Sequence, residues 1–163
     1  MVEIEVKGGF YHQLEQKFYK DIEAVKDGDT LLIDITSPGG EVDVLKRMTA
    51  KVLELKQRGV KIGTYISEFA DSCGFFFFLL GDKREAAETA TAHYHAPRLF
   101  IEDGFIATKT NMTEMLNDLN DCQAFTNDIF RSAVDMDDKL FALIENSELP
   151  MNRQNMLDFG IIN

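Results

Sequence analysis

The chain is short of positive charge, of cysteine and of proline. Seventeen Lys+Arg face 28 Asp+Glu over 163 residues, for a formal charge of −11. A surface that binds nucleic acid or an anionic membrane needs clustered cations to displace counterions, so this balance argues against both as partners. The two cysteines, Cys73 and Cys122, make no disulfide framework, and no Cys/His group has zinc-site spacing. Long apolar runs are missing too. The richest, residues 73–80, is far shorter than the roughly 20 residues that cross a bilayer. The first residues, Met1-Val2-Glu3-Ile4-Glu5, have neither the basic start nor the apolar stretch of a signal peptide. These absences predict a soluble protein in a reducing, cytoplasmic setting. With three prolines, no linker-like stretch and 45% apolar residues, the chain reads as one domain with a sizeable core.

What is present alternates. Phe10, Leu14, Phe18, Ile22 and Val25 recur at helical spacing up to the turn Lys26-Asp27-Gly28-Asp29. Residues 30–36, Thr-Leu-Leu-Ile-Asp-Ile-Thr, read as a short buried strand. After Ser37-Pro38-Gly39-Gly40, Val42, Leu45, Met48, Val52 and Leu55 mark one face of a second helix, which stops at Gly59. Val60, Ile62, Thr64 and Ile66 alternate as a strand, and residues 72–80 predict another helix. A third strand is expected over residues 89–95. This succession implies right-handed crossovers and a largely parallel α/β core.

The last third is helical. Asn111 and Glu114 suggest a capping box, and Met115, Leu119, Cys122, Phe125, Ile129 and Ala133 form a long apolar stripe. Such a helix packs either on its own domain or on a neighbouring subunit. A final short helix is expected from about Asn152 to Phe159-Gly160.

Three elements carry candidate chemistry. Ser72 stands at a strand-to-helix turn, where a hydroxyl can face a cleft and the helix start favours negative charge. Serine is also a favoured N-cap, so capping is the plain alternative. Cys73, expected to point into the core among phenylalanines, is the weaker nucleophile candidate. The glycines of Ser37-Pro38-Gly39-Gly40 follow a central strand, where open α/β sheets bind ligands and backbone N–H groups can approach an oxyanion. His95, in His93-Tyr94-His95-Ala96-Pro97, sits at the end of the third strand as a candidate general base. Strand alternation puts His93 and His95 on one face and Tyr94 on the other. Meeting at adjacent strand ends, these parts make up a serine hydrolase site.

The order and spacing of these segments resemble the proteolytic subunit of the Clp protease, within the crotonase-like superfamily. The resemblance runs through Ser37-Pro38-Gly39-Gly40, Ala70-Asp71-Ser72-Cys73-Gly74, Leu80-Gly81-Asp82-Lys83-Arg84, Tyr94-His95-Ala96-Pro97 and Met156-Leu157-Asp158-Phe159-Gly160-Ile161-Ile162. It implies a single crotonase-like (Clp-type) domain, with a repeated ββα/βαβ core over about residues 1–108 and a long C-terminal handle helix over about residues 113–134. It implies a serine endopeptidase that acts on peptides or unfolded proteins, with Ser72 as nucleophile and His95 as base. The N–H groups of Gly40 and Cys73 would form the oxyanion hole, with no metal or cofactor.

The family's aspartate falls here on Glu148, in Asn146-Ser147-Glu148-Leu149-Pro150; Asp137, Asp138 and Glu145 are the other carboxylates within range. The resemblance also implies a homo-oligomeric ring in which the handle interdigitates. The family's N-terminal segment that contacts an ATPase unfoldase has no counterpart before the strand starting at Glu3, so such a partner is not expected. The alternative reading is a weak or inactive homologue with a scaffold or assembly role. A coenzyme-A-binding crotonase relative fits less well, because enolate chemistry needs no Ser/His pair at these places.

Overall fold

The computed structural model describes residues 1–147 and 150–163. Strand β1 (Val2–Lys7) turns Ile4 and Val6 inward, as a strand covered on one face does. Helix α1 (His12–Asp21) buries Leu14 and Phe18 and runs into a 3₁₀ turn, Ile22–Ala24. The alternation continues through β2 (Thr30–Ser37), α2 (Val42–Gln57), β3 (Lys61–Asp71) and α3 (Cys73–Phe78). Two short strands follow, β4 (Lys83–Ala86) and β5 (Thr91–His93). The chain ends with α4 (Lys109–Ala133), α5 (Asp138–Glu145), β6 (Met151–Asn152) and α6 (Arg153–Asp158).

The sheet has the order β1-β2-β3-β5-β6. β4 pairs with the first half of β3, from Gly63 to Ile66, and β5 with its last residues, Phe69 to Asp71. Every pairing is parallel except β5 with β6. The protein is thus mixed α/β with a mostly parallel sheet. No helix among the described residues is long and apolar enough to cross a membrane.

Two aromatic groups fill the core. Phe10 and Phe18 meet Phe77 edge-on at 5.6 and 5.5 Å, joining α1 to α3. Phe75, Phe76, Tyr94, Phe130 and Phe141 join α3 to β5, α4 and α5. Fully burying such a side chain contributes about 1.5–3 kcal/mol relative to leaving it exposed, so these rings set how the helices sit on the sheet. α4 packs on its own domain through Thr126, Ile129 and Phe130, at its C-terminal end. Its first half is largely exposed, with Met112 and Leu116 in solvent, and the segment before it exposes Phe100 (93%) and Ile106 (80%).

Several sequence expectations are corrected. β3 extends five residues past Ile66: after a register shift, Ala70 pairs with Ser37 of β2, and Phe69 to Asp71 pair with β5. β5 is shorter than residues 89–95 and stops at His93. The third helix starts at Cys73 and ends at Phe78 rather than covering residues 72–80. The capping box lies one turn earlier, with the Thr108 hydroxyl accepting from the Asn111 N–H and the Asn111 side chain accepting from the Thr108 N–H. The long helix, α4, accordingly begins at Lys109.

Two strands escaped the pattern. β6 is only two residues long, and β4 has the polar sequence Lys-Arg-Glu-Ala. Within β4, Arg84 is buried because its guanidinium donates to the carbonyls of Gly81, Ala133 and Ile161. A charged side chain can be buried when its donors are satisfied in this way.

Candidate functional site

Three neighbouring strands end side by side. β2 ends at Ser37 and leads into the glycine loop; β3 ends at Asp71, just before Ser72; β5 ends at His93, two residues before His95. The loop is held from both sides. The Phe10 N–H donates to the Gly39 carbonyl at 2.7 Å, and the Glu41 N–H donates to the Phe10 carbonyl at 2.9 Å. Gly39 and Gly40 have φ of +94° and +148°, where side chains are rarely tolerated. A Cβ on Gly39 would also stand 2.6 Å from the Ser72 Cβ, and one on Gly40 would stand 2.7 Å from Phe10 backbone atoms.

Ser72 has φ 51° and ψ −121°, the one positive φ outside glycine among the described residues. It stands at the N-cap position of α3, as the plain reading has it, but its side chain makes no capping hydrogen bond. Helix α3 is six residues long, so little macrodipole is available to it. The strained backbone is held by the Ser72 N–H, which donates to the His93 carbonyl at 2.9 Å, and by the Ser72 carbonyl, which accepts from the Phe76 N–H at 3.1 Å. A residue in such a region costs about 1–3 kcal/mol and persists only where its surroundings enforce it.

Cys73 is buried, and its thiol donates to the Gly40 carbonyl at 3.3 Å, which brings the two expected oxyanion-hole residues together. Burial pushes that thiol up to about 11, against the opposing effects of the Gly40 backbone and the Ser72 hydroxyl. It therefore stays protonated at neutral pH and is a poor nucleophile.

The alternation expected of the histidines is present. Ala92 and Tyr94 turn into the core, while the rings of His93 and His95 lie 5.5 Å apart on the other face. His95 Nδ1 is 2.8 Å from the Ala96 carbonyl. A carbonyl only accepts, so Nδ1 carries the proton and Nε2 keeps its lone pair, as a general base requires. His93 Nε2–H likewise donates to the Ser147 carbonyl at 3.1 Å. Ser72 Oγ and His95 share no hydrogen bond among the described residues.

Glu148 lies outside the described residues. The chain on either side of it is anchored to β5, through the Ser147 carbonyl on His93 and through Met151 paired with Ala92. The other carboxylates in range are committed elsewhere. Asp137 caps α5, and Asp138 pairs with Arg131. Glu145 accepts from the Tyr94 hydroxyl at 2.9 Å and from Gln123 at 2.7 Å.

Asp71 is the site neighbour that sequence reasoning passed over. It is half-buried and in register with His93, and burial pushes its carboxyl up while His93 and His95 pull it down. Its place beside Ser72 was legible; its strand partner was not. Among the described residues no group of three or more His, Cys, Asp or Glu is arranged to hold a metal ion. The chain matches no protein-family model and no curated protein.

Proposed function

We propose that this chain is a serine endopeptidase of crotonase-like, Clp-type architecture that hydrolyses peptides or unfolded proteins. Ser72 Oγ attacks the peptide carbonyl carbon while His95 Nε2 takes its proton. The Gly40 and Cys73 N–H groups receive the oxyanion, and His95 returns the proton to the leaving amine. Water, deprotonated by His95, then attacks the acyl-enzyme and frees Ser72. Glu148 is assigned to orient His95, which requires the Nδ1 proton, held in the single chain by the Ala96 carbonyl, to pass to the Glu148 carboxylate.

The observation that carries this reading is the strained, non-capping conformation of Ser72, pressed against a glycine loop between two ordered strand ends. Such strain collects at active sites, and a serine on a sharp strand-to-helix turn is how several hydrolases expose a nucleophile. The reading is tested by fluorophosphonate labelling: modification at Ser72, abolished by Ser72→Ala, is expected, and an unlabelled wild-type chain at pH 7–8 contradicts it.

A second reading, an inactive homologue with a scaffold role, is favoured by the missing Ser72–His95 hydrogen bond. Catalytic hydrogen bonds often tighten only with substrate bound, which keeps the peptidase reading first. The proposal extends to a homo-oligomeric ring joined through the handle. Its support is the exposed apolar series Phe100, Ile106, Met112 and Leu116, which runs from the loop before α4 into that helix.

A further inference from the structure

On the reading of Ser72 and His95 just given, we infer that Asp71 is a second carboxylate of the site, an electrostatic partner that stabilises the His95 imidazolium from the β3 side. Asp71 and His93 are register partners in parallel strands, so their side chains leave the sheet on the same face. His95, two residues on, shares that face, with its ring 5.5 Å from that of His93. Asp71, His93 and His95 are all half-buried, while the alternate residues Ala70, Ala92 and Tyr94 fill the core behind them. The carboxylate forms no ion pair with either histidine among the described residues, so it acts through its field in half-buried surroundings rather than by contact.

The electrostatics run the same way. Burial disfavours the Asp71 carboxylate, and the two histidines are what favour it. His93 is held through Nε2 by the Ser147 carbonyl, whereas His95 Nε2 is left for proton transfer. The other charged groups close by along the chain are Glu68, three residues before Asp71, and Arg98, three residues beyond His95. Asp71 touches none of the reacting atoms and is a positioning residue. It precedes Ser72 directly, so the nucleophile and a carboxylate that assists its base are carried by one strand end.

The test uses the full chain and two measurements. In the first, the rate of fluorophosphonate labelling at Ser72 is followed from pH 5 to 9 in wild type, Asp71→Asn and Asp71→Glu, each also carrying His93→Gln. Asp71→Asn is expected to move the acid limb to lower pH by about half a unit and to lower the plateau about threefold to tenfold, in both backgrounds. Asp71→Glu is expected to restore the limb. In the second, the Asp71 carboxyl carbon is titrated by NMR; His95→Gln should raise its midpoint, a readout independent of activity. A labelled wild type whose acid limb is unmoved in Asp71→Asn overturns this inference alone, even if the plateau falls. A wild type that is not labelled at all overturns the peptidase reading beneath it.

Discussion

Gly39 and Ser72 are packed so closely that no side chain fits between them: a Cβ on Gly39 would stand 2.6 Å from the Ser72 Cβ and 3.1 Å from the Cys73 nitrogen. The loop thus enforces the φ of 51° at Ser72. Relief of that strain is measurable. Ser72→Gly accepts the positive φ and Ser72→Ala does not, so the glycine variant should be the more stable by about 1 kcal/mol despite its greater unfolded-state entropy. Thermal unfolding of the two variants checks this; an alanine variant as stable as the glycine one would mean that Ser72 is not strained.

Glu148→Gln removes the charge assigned to orient His95 while keeping the shape of the side chain. Turnover of a fluorogenic peptide should fall by about tenfold or more, within the range for general acid–base groups. Unchanged turnover removes Glu148 from the site. Asp137, Asp138 and Glu145 are poor replacements, being engaged with the α5 N-terminus, Arg131 and Tyr94.

Glu15 and Arg47 clamp α1 to α2. The Arg47 guanidinium donates to both carboxylate oxygens, at 2.6 and 2.8 Å, and Glu15 is buried. The hydrogen bonds from Arg47 hold the Glu15 carboxyl below its ordinary value, against the opposing effect of burial. A depressed carboxyl contributes stability that is present above its unfolded value and lost as pH falls through its folded one. The Tm difference between wild type and Glu15→Gln should therefore be widest near neutrality and shrink as the solution is acidified below the ordinary carboxyl range. A difference independent of pH would show that the ion pair is not its source.

Assembly is predicted to depend on the exposed apolar segment before α4. Replacing Phe100 and Ile106 together with Asp should shift sedimentation toward the single chain without lowering Tm of the isolated domain, because neither side chain is buried in it. A wild type that sediments as a monomer at micromolar concentration contradicts the ring.

The alternating α/β core was legible because its helices carry one apolar face and its first strands bury every second residue, as at Leu31, Ile33 and Ile35. Less of the sheet edge could be read. β4 hides behind Lys83-Arg84-Glu85, where a buried arginine is satisfied by carbonyls from distant segments, and no local pattern announces that. Ser72 was readable as a turn serine but not as a strained one, since its φ depends on Gly39 more than 30 residues away in sequence. Asp71 shows the same limit: its neighbour Ser72 is local, but its partner His93 is set by strand register.

The central claim, that Ser72 is an activated nucleophile, is tested most directly by locating the residue modified when the assembled protein meets a fluorophosphonate at pH 7–8. The account predicts a single adduct on Ser72, lost in Ser72→Ala and slowed at least tenfold in His95→Gln. An absence of adduct, or an adduct that persists unchanged in His95→Gln, would contradict it.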